Sequence, residues 1–250
     1  PPEFAEATVA VSIEETTTGV IHRAAADDPD GGVRFDHPGY VALFLTDEGT
    51  GAGATDALGS GLGLSFNAAR WAVEPGAPGG GNVLGTQVLG DRSWFTVDNF
   101  NVTNGLTISE WIRFDDIQTS IYDPLIWKFG DLRVAAVNGQ FGVVGPEGIF
   151  MATPFVDGEW AHLIFSIDAD GSATFYLNGE EIKSGQAPFD SSLTGNTVGH
   201  DFNTTGNGLG GARSDLTIID GVLSETQAEM LYQSALRGHL GDVLRYSLGS

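Results

Sequence analysis

The most informative pattern of apolar and polar positions runs over residues 158–181. Leu163, Phe165 and Ile167 alternate with smaller or polar residues, and Ala173, Phe175 and Leu177 repeat the alternation after Asp168-Ala169-Asp170-Gly171. A period of two is that of strands with one buried face. The segment therefore predicts two strands joined by a polar turn, with Asp168 and Asp170 as turn formers. Asn178-Gly179 predicts a second hairpin, because both central positions of a type I′ turn need positive φ.

The same reading predicts a strand over residues 4–14, a loop over 24–32, and strands at Tyr40–Leu45 and Gly61–Phe66. Residues 74–91, dense in Pro and Gly, read as loop. Strands follow at Ser93–Val97 and Leu106–Phe114. In the second of these, Leu106, Ile108, Glu110, Ile112 and Phe114 share one face and Thr107, Ser109, Trp111 and Arg113 the other. Glu110 interrupts an apolar face and must be solvated, paired or functional. Further strands are predicted at Pro124–Phe129, Leu132–Asn138, Gln140–Val144, Gly148–Ala152, from Thr197, and at Asp215–Asp220. Ser224-Glu225-Thr226-Gln227 is a capping box, so one short helix begins near Glu225.

Composition narrows this picture. A chain of 250 residues, 41% hydrophobic and with 36 Gly, can bury a large core and favours a turn-dense β domain with appendages over an α/β enzyme. No run approaches the roughly 18 apolar residues of a membrane span. The 33 acidic against 11 basic residues, a net charge of -22, disfavour nucleic acid and anionic lipid as partners. The excess reads as a solvating surface, as a source of oxygen ligands for calcium, or as both. With no Cys, disulfides, thiolate metal sites and cysteine nucleophiles are excluded. The opening Pro1-Pro2-Glu3-Phe4 lacks a charged-then-apolar leader, which predicts a piece of a longer chain with flanking domains.

The order Trp160-x-His162, strand, Asp168-x-Asp170-Gly171, strand, Asn178-Gly179 resembles the laminin G-like, concanavalin A-type jelly roll. Tyr40–Leu45 followed by Asp47-Glu48-Gly49-Thr50-Gly51 and Asp56 resembles the opening of such domains, and Leu216–Tyr232 resembles their ending. The resemblance implies an all-β, concanavalin A-like jelly-roll sandwich of two antiparallel sheets with one short C-terminal helix, over residues 37–236. Residues 1–36 are then an N-terminal strand-and-loop extension and 237–250 a tail or linker. It also implies an extracellular or cell-surface recognition module.

Several residues are candidates for chemistry. Trp160 and His162 alternate onto one face and read as structural, Trp160 filling core and His162 donating to a backbone carbonyl; no Asp or Ser stands at triad spacing. Phe129-Gly130-Asp131 and Val198-Gly199-His200-Asp201-Phe202-Asn203 resemble the calcium-bearing segments of pentraxins. That resemblance implies Asp131, Asp201 and Asn203 as calcium ligands, with His200 and Phe202 departing from the amide positions. Asp56 and Asp215 resemble the edge position where laminin G-like modules carry a stabilising ion. Trp71, Trp94, Trp127 and Tyr122 sit in or beside predicted loops and could stack on sugars, Trp71 most of all.

Two rivals to a glycan-binding or polymer-binding module remain open: calcium-independent protein adhesion or a spacer, and a divergent polysaccharide hydrolase or lyase. A retaining hydrolase needs carboxylates about 5 to 5.5 Å apart, and the β-glucanase-type Glu-x-Asp-x-x-Glu spacing is absent. The expected partner is a glycan, a polysaccharide or a surface protein.

Overall fold

The computed structural model describes residues 35–236 except 47, 68–69, 74–81, 87–93, 116–124, 131, 138–139, 146–147, 155 and 188–210. The strands are β1 (Tyr40–Phe44), β2 (Gly53–Thr55), β3 (Gly63–Asn67), β4 (Arg70–Val73), β5 (Asn82–Thr86), β6 (Trp94–Val97), β7 (Leu106–Phe114) and β8 (Leu125–Phe129). They continue as β9 (Leu132–Val137), β10 (Gln140–Gly145), β11 (Gly148–Pro154), β12 (Trp160–Ile167), β13 (Ser172–Leu177), β14 (Glu180–Gln186) and β15 (Gly211–Asp220), with the helix α1 at Glu225–Leu236.

One layer is an eight-stranded sheet ordered β14-β13-β12-β7-β15-β5-β4, with β1 also on β15. The facing layer consists of two ladders, β11-β10-β9-β8 and β2-β3-β6. Every pairing is antiparallel, so the expected jelly-roll sandwich stands, its second layer being split in two. The core joins Ile108, Ile112, Phe165 and Phe175 of the large sheet to Ile126, Phe129 and Phe141 of the four-stranded ladder and Leu64 and Phe95 of the three-stranded one. The opposite face of the large sheet buries Trp111, Ile164, Tyr176 and Ile219 under Phe35 and under Ala228, Leu231 and Ala235 of α1. Both faces of β7 and β12 are thus covered, which is why nearly every residue of each is buried.

Local chemistry sets the ends of these elements. Asn178 (φ 52) and Gly179 (φ 84) take the left-handed backbone of the β13–β14 turn, as the Asn-Gly pair predicts. A Cβ on Gly179 would meet Glu229 Cα at 3.1 Å, so only glycine lets this turn nest against α1. The helix starts on its predicted box: Gln227 Oε1 accepts Ser224 N–H at 2.9 Å, and Gln227 N–H donates to Ser224 Oγ at 3.4 Å.

Two expectations are corrected. The stretch 74–91, read as loop throughout, contains β5. β15 begins at Gly211 rather than Asp215. In both cases pairing overrides local composition: β5 is held between β4 and the start of β15, whose Arg213 pairs with Leu84. The predicted strands at 4–14 and from Thr197, and the loop at 24–32, lie outside the described residues, as do most of both flanking segments.

Candidate functional site

The resemblance-derived calcium set lies outside the described residues: Asp131, His200, Asp201 and Asn203. The described neighbours in sequence are β8, which ends at Phe129 paired with Leu132 of β9, and β14 and β15, the latter beginning at Gly211 opposite Phe114. Trp71 and Trp94 are described in their backbones alone, in β4 and β6, and Tyr122 falls outside the described residues.

Asp56, one of the two edge candidates, is a turn-builder. Its Oδ1 accepts the N–H of Leu43 at 2.8 Å and of Leu58 at 3.1 Å, and its Oδ2 accepts that of Ser60 at 2.7 Å. The carboxylate therefore ties β1 to the turn after β2 through three backbone donors. Asp215, the other edge candidate, lies inside β15 at a bulge where pairing with β7 shifts register between Ser214 and Thr217. Its φ of 58° is matched by 51° at Thr46, whose Oγ1 accepts the Asp215 N–H at 3.3 Å. This bulge is also where the free edge of β15 passes from β5 to β1. Among the described residues, no three His, Asp or Glu side chains gather as a metal site.

The buried charge lies on the core face of the large sheet. Glu110 is 2% exposed, and its Oε2 accepts both Trp127 Nε1–H at 2.9 Å, from the facing layer, and Arg213 Nη1–H at 3.0 Å, from β15. The Arg213 guanidinium also sits 5.8 Å from the Phe114 ring centre. Burial raises the Glu110 carboxyl above its ordinary value against the pull of Arg213, and lowers Arg213 to about 10 against the pull of Glu110. Desolvation outweighs attraction on both partners, as expected of an ion pair taken out of water. Trp127, read as a loop aromatic available to sugars, is instead a core residue that hands its indole N–H to this acid.

The helix-covered face is polar in a different way. His162 is 0% exposed, its ring 5.0 Å from that of Trp111 and 5.9 Å from that of Tyr232. It was expected to donate to a backbone carbonyl; instead neither ring nitrogen has a hydrogen-bond partner among the described residues. Its strand is held through the backbone: His162 N–H donates to Asn178 Oδ1, and Asn178 N–H to the His162 carbonyl, both at 2.9 Å. Trp160 is half-buried rather than core, and lies 5.7 Å under the Arg113 guanidinium.

A family model described as the concanavalin A-like lectin/glucanases superfamily, of laminin G type, matches residues 89–229. The chain belongs to this superfamily. No curated protein matches it in sequence. Its fold is similar to the botulinum neurotoxin serotype D ligand binding domain solved with N-acetylneuraminic acid, at 14% identity and TM-score 0.59, covering 78% of this chain and 51% of that one. It is similar to the binding domain of botulinum neurotoxin DC solved with rat synaptotagmin II, at 14% identity and TM-score 0.61, covering 79% and 52%. It is similar also to the Trypanosoma rangeli sialidase, at 11% identity and TM-score 0.59, covering 78% and 33%. The chain thus spans about half of the toxin domains and a third of the sialidase.

Within this lectin/glucanase domain, the arrangement of Glu110 has a chemical consequence. A general acid or nucleophile must reach the substrate, whereas this carboxylate faces the inter-sheet core and is bound by a guanidinium and an indole. Pattern reading found Glu110 as the break in an apolar face but missed its partners. The signal was present: Arg213 is a lone cation on the neighbouring strand, facing Ile112 in register and so on the same face as Glu110.

Proposed function

We propose that this domain is a non-catalytic recognition module of an extracellular or cell-surface protein, and that it binds a glycan or another surface polymer. The observation that carries the reading is the enclosure of Glu110: in a superfamily that holds both lectins and glucanases, the acid on the central strand is committed to the core. Similar folds have been solved with N-acetylneuraminic acid and as a sialidase, which supports sialylated glycans as the first class to try.

Charge sharpens the proposal. A chain carrying -22 repels a sugar carboxylate, so an anionic glycan needs a cation between it and the protein. Asp131, Asp201 and Asn203 are the proposed calcium ligands, with His200 and Trp71 beside the sugar. A neutral glycan would need no such bridge. The second reading is protein adhesion, favoured by the similar toxin domain solved with synaptotagmin II.

The test is a panel of immobilised sialylated and neutral glycans, run in calcium and in chelator, with each well assayed for released sugar. The expected result is retention of sialylated probes in calcium, lost in chelator and in Asp201→Ala. Retention unchanged in chelator removes the calcium bridge. Released sugar overturns the non-catalytic reading, and silence in every well turns the case to a protein partner.

A further inference from the structure

The geometry points to helix α1 as an acid-released latch, held over the large sheet by a neutral His162 and let go when that ring takes up a proton. The inference is independent of the ligand. It starts from a cluster: Ser109 Oγ, Trp111 Nε1, both nitrogens of His162, Thr217 Oγ1 and Ser234 Oγ are all buried without a hydrogen-bond partner among the described residues. Ser109, Trp111, His162 and Thr217 come from three adjacent strands, in register as Trp111 opposite His162 and Ser109 opposite Thr217. Ser234 is the buried hydroxyl of α1, and Tyr232 of the same helix lies against both aromatic members of the cluster.

An imidazolium carries two N–H donors and a full charge, and among the described residues neither ring nitrogen is met by an acceptor or a counter-ion within bonding distance. The ring meets Trp111 from β7 and Tyr232 from α1. Of the charged groups on the surrounding elements, Glu110 is on the opposite face of β7 with Arg213, Arg113 is bonded to Asp115, Asp215 is buried at the β15 bulge beside Ser214, and Glu159, Glu180, Glu181, Lys183, Glu225 and Glu229 are exposed. Burial alone pulls the ring down from 6.5 to about 3. Since the docked state holds the ring neutral, docking is at full strength above pH 6.5 and weakens as pH falls toward 3. The open state, which binds the proton, gains about tenfold per pH unit across that window.

A second histidine reports on the same face. His37 Nδ1 accepts Gly39 N–H at 3.0 Å in the strap that carries Phe35 over the sheet. Burial lowers this ring too, against the opposing charges of Asp36 and Asp220. It adds to any acid response, so the contribution of His162 must be read by difference.

The experiment is amide exchange of the whole chain, corrected for the intrinsic pH dependence, in wild type and in His162→Phe, which keeps an aromatic ring between Trp111 and Tyr232. In wild type the amides of Leu231–Ala235 lose protection about tenfold per pH unit below 6.5, and open before those of β12. In His162→Phe that loss flattens. Equal pH slopes in the two proteins overturn the inference, as does exchange of α1 only together with β12. Should the variant fail to fold, the wild-type His162 ring is titrated by nuclear magnetic resonance. The latch requires that it stay neutral through pH 5 while α1 is docked; a ring that titrates near 6.5 with the helix in place sinks it.

Discussion

The two faces of the eight-stranded sheet bury polar groups in opposite ways. On the core face, one guanidinium and one indole share a single carboxylate oxygen, and β7, β8 and β15 are tied at one point. On the helix face, Thr107 Oγ1 is bonded to Ser166 Oγ and to the Gly221 carbonyl, both at 2.7 Å, yet the side-chain polar atoms of Ser109, Trp111, His162 and Thr217 have no hydrogen-bond partner among the described residues. A connected buried network resists any one-sided change, whereas orphaned polar groups weaken the cover laid over them. The difference separates a face that specifies strand register from a face that can be opened.

The sharpest way to break the core face is to remove one partner. Glu110→Leu leaves Arg213 charged in the core without the Glu110 carboxylate, and should cost about 3–5 kcal/mol of unfolding free energy by denaturant titration. The double variant Glu110→Leu with Arg213→Met should recover most of that loss, because burial shifts both groups against their own attraction. If the single and double variants are equally unstable, the pair contributes attraction that its burial does not cancel, and the contrast between the faces fails.

Much of this architecture was legible before any coordinates. The alternation at 106–114 and 163–177 named both faces of three central strands, and Asn178-Gly179 and the Ser224 box marked the hairpin and the helix start to the residue. These are local devices, readable because turn and cap chemistry acts over four residues. What was not legible depends on partners distant in sequence. β5 looks like loop because one of its two pairing strands, β15, lies more than a hundred residues away. Trp127 looked exposed because its acceptor, Glu110, sits on another sheet. The three backbone donors of the Asp56 carboxylate are visible only in the folded turn.

One substitution applied twice sharpens the helix face. Thr107→Val removes a hydroxyl that serves Ser166 and the Gly221 carbonyl, and should cost about 1–3 kcal/mol by taking that partner from both, Ser166 Oγ keeping the Leu223 N–H. Thr217→Val removes a hydroxyl on the same face with no hydrogen-bond partner among the described residues, and should be neutral or stabilising by up to about 1 kcal/mol. Equal costs at the two threonines would mean that the cluster under α1 is satisfied by ordered water. The latch would then hold its proton acceptor in a wet pocket, and the acid response of His162 would shrink with it.

The smallest effect isolates the helix from the sheet beneath it. Ser224 is exposed, and its hydroxyl donates to Gln227 Oε1 at 2.9 Å while accepting the Gln227 N–H, so its loss touches neither polar face. Ser224→Ala removes one cap and should cost about 1 kcal/mol. Because α1 buries Ala228, Leu231 and Ala235 over the large sheet but belongs to no strand ladder, the cost should fall on local opening of the helix before it reaches the sandwich. Amide exchange should therefore show α1 losing protection at neutral pH, about fivefold, with β7 and β12 unchanged. If all three lose protection together, the helix and sheet open as one unit, and the cover over His162 is part of the core rather than a latch upon it.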